Sequence, residues 1–158
     1  MGYESLTDEK INLIILSIKR VTNPLSKEVD KGSHTQRNYK VLGQDGQEYT
    51  LYARQSKLVV DDFSCGLLWL MPSGETITLV RYNGSSHYHP NHLEDNELDF
   101  SCHIHRATER YIQAGKKPEG YAEETHRYST LNGALHCLIT DCKINGLKTE
   151  PDQPDLFK

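Results

Sequence analysis

Five of the eight histidines of this chain lie close together, at positions 87, 89, 92, 103 and 105. An imidazole changes its charge near physiological pH, so it can accept or release a proton, and its neutral ring can bind a metal ion. A cluster of histidines therefore indicates proton-transfer chemistry or metal binding. We expect any chemistry of this chain to lie between Arg81 and Arg106.

This stretch contains what the cleavage of an RNA phosphodiester needs in the absence of a metal. That reaction requires a base for the 2′-hydroxyl proton, an acid for the leaving oxygen, and a cation or hydrogen-bond donors at the phosphate. The predicted catalytic residues are Arg81, His87, His103 and His105. The predicted substrate-binding residues are Asn83, His89, Arg106, Arg110 and Tyr111. The expected partner is RNA, and no cofactor is expected.

Two features of the predicted strands would bring these groups together. His103 and His105 are two residues apart in a predicted strand, so both lie on the face opposite Phe100, Cys102 and Ile104. We expect that face to be open to solvent or to a cleft. If the strand at 75–82 pairs with the strand at 99–105, the loop between them folds back and brings His87 and His89 beside the first two histidines.

Metal binding is the competing chemistry. The spacing His87-x-His89, with Glu94 after four further residues, resembles the first motif of the cupins. That resemblance implies a divalent metal such as zinc held by His87, His89 and Glu94. The second cupin motif does not follow in this sequence.

The patterns R-Y-N-G-x-x-H and F-x-C-H-I-H resemble a signature of small bacterial proteins, over roughly residues 63–146. Some of these are toxins of toxin–antitoxin modules (the TumE-like group), and others are uncharacterised phage or mobile-element proteins. The matching positions are Arg81, Asn83, His87, His103 and His105. The resemblance implies a compact α+β fold, RNA cleavage and a cognate antitoxin. Toxins of the related RelE type are usually smaller and basic, whereas this chain is acidic.

A non-enzymatic role is the other alternative, as a protein-binding inhibitor or adaptor of phage, mobile-element or defence origin. The C-terminal segment Gln153-Pro154-Asp155-Leu156-Phe157 resembles the pentapeptide with which bacterial proteins bind the replication sliding clamp. In that interpretation Gln153, Leu156 and Phe157 are the partner-binding residues, and the segment orders on binding.

Composition limits the class of protein. The chain of 158 residues fits one domain, predicted at 1–146, followed by a flexible tail at 147–158. Its net charge of −4 argues against a broad basic surface for nucleic acid, although it permits a local basic pocket. No apolar run approaches the ~20 residues of a membrane span. We therefore expect a cytoplasmic protein with reduced cysteines and no membrane partner.

The elements follow from residue patterns. Thr7 should cap a helix that ends near Val21, and Ser129 or Thr130 should cap a final helix. Strands are predicted at 37–42, 48–53, 63–71, 75–82 and 99–105, the last running on toward Tyr111. A linker is predicted at 24–36, a polar loop at 83–98 and a turn at 115–120. These elements predict an α+β fold with an antiparallel sheet of five or six strands and the two terminal helices packed on one face.

Overall fold

The computed structural model describes residues 2–152 as an α+β fold. In this range the α-helices are α1 (Asp8–Leu16), α2 (Glu109–Gln113) and α3 (Leu131–Asp141), with a 3-10 helix at Tyr3–Ser5. The strands are β1 (Lys19–Val21), β2 (Val29–Asp30), β3 (His34–Gly43), β4 (Glu48–Ser56), β5 (Phe63–Leu70), β6 (Thr76–Asn83), β7 (His89–Asn91), β8 (Asn96–Leu98), β9 (His103–Arg106), β10 (Tyr121–Glu124) and β11 (Ile144–Asn145).

One large sheet of nine strands organises the molecule, in the order β10-β9-β6-β5-β4-β3-β1-β11, with β2 also paired to β3. Neighbouring strands in this sheet are antiparallel, except for β1 and β11, which are parallel to each other. The α+β class and the mostly antiparallel sheet are thus confirmed, whereas the expected number of five or six strands is too low. The hairpins β3–β4 and β5–β6 are the two that alternation and turn glycines predicted.

The N-terminal helix is capped as predicted but is shorter than expected. The Thr7 side chain accepts a hydrogen bond from the backbone N–H of Lys10, and α1 ends at Leu16 rather than near Val21. The chain then enters β1, where Lys19 is only 1% exposed. Its ammonium donates to the carbonyl oxygens of Ile15, Ser17 and Cys142 at 2.7–2.9 Å. These bonds satisfy carbonyls at the ends of α1 and α3, where a helix can supply no donor of its own.

Segments predicted as irregular contain short strands. The linker at 24–36 includes β2 and the start of β3, and the polar loop at 83–98 includes the small hairpin β7–β8. The strand predicted at 99–105 begins only at His103 and does not reach Tyr111, which lies in α2. The Thr108 side chain caps that helix by accepting a hydrogen bond from the N–H of Tyr111.

The C-terminal helix is confirmed with Thr130 as its cap, and α3 lies against β4, β5 and β6. Beyond β11, Leu147 packs against the core. The Asp152 carboxylate accepts hydrogen bonds from Ser129 and Thr130. The Asp152 carboxylate also lies close to Gly133 inside this helix. No helix within residues 2–152 is long and apolar enough to cross a bilayer.

Candidate functional site

Two rows of residues cross one face of the sheet from β4 to β9. The strand registers align Tyr52, Gly66, Arg81 and His105 in one row, and Arg54, Ser64, Asn83 and His103 in the next. Side chains two residues apart on a strand share a face, so the two rows form one polar surface. The residues between them, such as Cys65 and Tyr82, are buried in the core on the other face.

A flap formed by residues 84–102 folds back over the β9–β10 end of this surface. The side-chain amide of Asn91 donates to the carbonyl oxygen of Ala122 at 2.8 Å and accepts from its N–H at 2.9 Å. His89 Nε2 lies 2.9 Å from the carbonyl oxygen of Gly120. The pairing of β6 with β9 and the return of the loop toward it are confirmed.

The flap completes an imidazole cluster of His87, His89, His103 and His105. Ring centroids are 5.3 Å apart for His87 and His103, 5.6 Å for His89 and His103, 4.6 Å for His89 and His105, and 5.0 Å for His103 and His105. His103 is 0% and His105 2% exposed. The expectation that these two face solvent or a cleft is therefore wrong, because the flap covers them. His87 remains exposed.

Burial keeps the inner rings neutral. His103 Nδ1 lies 2.9 Å from the carbonyl oxygen of Ser101, and His105 Nδ1 lies 2.8 Å from that of Glu119. A carbonyl only accepts, so each Nδ1 carries the ring proton. Burial lowers the pKa of His103 to about 4 and that of His105 to about 2, and it also lowers the pKa of His89. At neutral pH these three rings therefore have no extra proton to give to a leaving group.

The free nitrogen of His103 has a structural partner. With its proton on Nδ1, His103 accepts at Nε2 from the side-chain amide of Asn83, at 3.3 Å. This bond sets the orientation of Asn83, whose Oδ1 is buried and has no partner among residues 2–152. His103 thus positions Asn83 on the polar surface instead of facing the solvent itself.

An open cleft of about 470 Å³ lies on the polar surface beside the cluster. It is lined by Gln36, Tyr52, Arg54, Asp62, Phe63, Ser64, Arg81, Asn83 and His87. Arg81, Asn83 and His87 were predicted site residues, whereas the lining residues from β3, β4 and β5 were not. Only the cross-strand register, which local sequence patterns do not determine, brings Tyr52 and Ser64 beside Arg81 and Asn83.

Each of the two cleft arginines is held by a carboxylate. Arg81 Nη1 lies 3.5 Å from Glu119 Oε2, and Arg54 Nη1 lies 3.4 Å from Asp62 Oδ1. Arg81 Nε is buried and without a partner in the described part of the chain. Because a guanidinium has five N–H donors, each arginine keeps donors for an anion in the cleft.

Four predicted substrate-binding residues do not line the cleft: His89, Arg106, Arg110 and Tyr111. Arg106 donates to the side chain of Asn12. Arg110 Nε donates to Glu94 at 2.6 Å, and the buried Tyr111 donates to the same carboxylate at 2.7 Å. The contacts of Arg110 and Tyr111 attach α2 to the flap.

The cupin-like ligand set is not assembled. The Glu94 carboxylate accepts hydrogen bonds from Arg110 and Tyr111 of α2, and in residues 2–152 no three His, Cys, Asp or Glu side chains are arranged to hold a metal ion. The sliding-clamp residues Gln153, Leu156 and Phe157 lie outside the described residues.

Comparison of this chain with protein-family models, curated proteins and solved structures gives no match. The likeness to TumE-like toxins stays a prediction from its short signature.

Proposed function

We propose that this protein is a metal-independent endoribonuclease of the toxin type and that the cleft is its active site. The supporting observation is the convergence of two arginines, a fixed asparagine and an exposed histidine on one cleft. Guanidinium groups bind phosphate oxygens through paired hydrogen bonds, and a histidine beside them can transfer a proton at neutral pH. The net charge of −4 is compatible with this role, because cationic side chains are needed only inside this one pocket.

In the proposed reaction His87 is the catalytic histidine. It takes the 2′-hydroxyl proton as O2′ attacks the adjacent phosphorus, and the P–O5′ bond breaks to leave a 2′,3′-cyclic phosphate. The same ring then returns the proton to the leaving 5′ oxygen, so no second acid is required. Arg81 stabilises the negative charge that develops on the phosphorane.

The buried rings have a positioning role in this scheme. His103 orients Asn83 by its hydrogen bond and packs edge-on against His87. Arg81 is held by Glu119, whose backbone carbonyl also accepts from His105. The cluster thus supports the cleft side chains without donating protons to the substrate.

The test is cleavage of an end-labelled single-stranded RNA in the presence of a chelator. We expect products ending in a 2′,3′-cyclic phosphate. His87→Ala should lower the rate by about 100-fold or more, the usual range for a lost acid–base group. His92→Ala is the matched control, because His92 is an exposed histidine of the same flap that does not line the cleft. Full activity of the His87 variant, or cleavage only after a divalent metal is added, contradicts the proposal.

The toxin interpretation also implies a cognate antitoxin and action in the cytoplasm, where the four free cysteines stay reduced. The β4–β5 connection presents exposed apolar side chains, with Leu58 at 92% and Val60 at 78% exposure. Such groups suit a protein partner. They also favour the second candidate function, a non-enzymatic inhibitor or adaptor, which a stable protein complex without any RNA cleavage would support.

A further inference from the structure

The floor of the cleft is an aromatic ring between two cations. A Cβ at Gly66 would lie 2.6 Å from Cε1 of Tyr52, so glycine at this position leaves room for the ring to lie against β5. Tyr52 is aligned through Gly66 with Arg81, and Arg54 is two residues further along β4. Burial raises the pKa of Tyr52, so its hydroxyl stays neutral.

We propose that the cleft holds one nucleotide together with both of its phosphates, so that its ligand class is a nucleoside 3′,5′-bisphosphate unit within an RNA strand. Tyr52 stacks on the base, Arg81 binds the phosphate at the reaction centre, and Arg54 binds the other phosphate. This inference rests on the proposed function only for the direction in which the RNA strand runs through the cleft. Binding of the bisphosphate itself does not depend on cleavage.

The arrangement of the two arginines favours two phosphates over one. Arg54 is on β4 and Arg81 is on β6, two strand spacings or roughly 10 Å apart at the backbone. Separate carboxylates hold the two guanidinium groups, Asp62 for Arg54 and Glu119 for Arg81. Because each guanidinium is held at its own carboxylate, a nucleotide with a phosphate on each side of its sugar can engage both.

The size and chemistry of the cleft agree with this ligand. About 470 Å³ falls within the roughly 300–1,000 Å³ of ordinary small-molecule sites. Stacking on an aromatic ring is the main sequence-tolerant contact to an unpaired base. Asn83 and Gln36, at opposite sides of the cleft, present amide groups that can bind the sugar hydroxyl or base edges.

Calorimetric titration with adenosine 3′,5′-bisphosphate and with adenosine 5′-monophosphate tests the inference. For the wild type we expect the bisphosphate to bind about tenfold more tightly, as one added charged hydrogen-bond pair predicts. Arg54→Gln should reduce that preference to about twofold or less. Tyr52→Leu should weaken both ligands by about tenfold while keeping the preference.

Arg37→Gln is the matched control. Arg37 is a similarly exposed arginine of the adjacent strand β3, on the opposite face, where it pairs with Glu28. This variant should retain the wild-type preference. Equal affinity of the wild type for the two nucleotides, or a preference that survives Arg54→Gln, overturns the inference even if RNA is cleaved. A bisphosphate preference without any RNA cleavage overturns only the proposed ribonuclease activity.

Discussion

At the scale of single residues, the two kinds of histidine in the cluster should respond differently to substitution. His87 is exposed at the cleft, whereas His103 is fully buried and bonded at both ring nitrogens. Exposed side chains contribute little to stability, but a buried ring removed from its hydrogen-bond partners leaves a cavity and unpaired polar groups. The role of a histidine in this cluster can therefore be measured through stability as well as through activity.

We predict that His103→Ala lowers the free energy of unfolding by about 2–4 kcal/mol, because it creates a cavity and leaves the Asn83 amide unpaired. His87→Ala should change it by less than about 0.5 kcal/mol. Urea denaturation followed by circular dichroism measures both. Among folded molecules, the His103 variant should keep the wild-type shape of the pH–rate profile, whereas the His87 variant should lose it. Equal destabilisation by both substitutions contradicts these roles.

At the scale of elements, the flap protects an edge of the sheet. In the described sheet, β10 pairs with β9 on one side and forms the edge on the other. Exposed edges readily pair with other chains. The two hydrogen bonds between the Asn91 amide and Ala122 imitate a strand partner, and His89 adds a third contact at Gly120. Because the same flap covers the inner rings of the cluster, its attachment to β10 contributes both to edge protection and to burial of the cluster.

We predict that Asn91→Ala weakens the attachment of the flap to β10. The substitution leaves the backbone N–H and C=O of Ala122 without their partner, which lowers the free energy of unfolding by about 1–3 kcal/mol. It also loosens the flap where it contacts β10. Amide hydrogen exchange should become at least tenfold faster at Ala122 and in β7 and β8, with little change in β3 and β4. Asn96→Ala is the control, because Asn96 is exposed and contacts Asn91 without bonding to β10. Unchanged exchange at Ala122 in the Asn91 variant excludes this role.

At the scale of the whole molecule, the sequence predicted those parts that local patterns determine. Alternation and turn glycines predicted the hairpins β3–β4 and β5–β6, and Thr130 with the apolar residues after it predicted α3. The short strands β1, β2, β7, β8, β10 and β11 were missed because two to four residues have no periodicity of their own and depend on tertiary partners. The expected pairing of the strands now seen as β6 and β9 correctly brought the clustered histidines together. The burial of these histidines depends on the flap. The contribution of Tyr52 and Arg54 to the cleft depends on strand register.

The buried neutral histidines give the whole fold a pH dependence. The pKa of His103 is about 4 and that of His105 about 2, compared with an ordinary value of 6.5. Below pH 6.5 the unfolded chain therefore binds protons that the folded protein does not. Stability consequently falls as the pH falls, through the window from 6.5 to about 4 for His103 and further for His105. Each ring contributes at most about 1.4 kcal/mol per pH unit.

We accordingly predict that the urea midpoint is nearly constant from pH 8 to 7 and falls steeply between pH 6.5 and 4.5. His126→Ala should follow the wild-type curve, because the His126 side chain is 88% exposed. His103→Asn should flatten the curve, because one of the rings that excludes a proton is removed. Equal midpoints at pH 7.5 and 5 would show that the inner rings accept protons within the fold. In that case His103 would be able to act as an acid at the cleft, and the assignment of proton transfer to His87 alone would have to be abandoned.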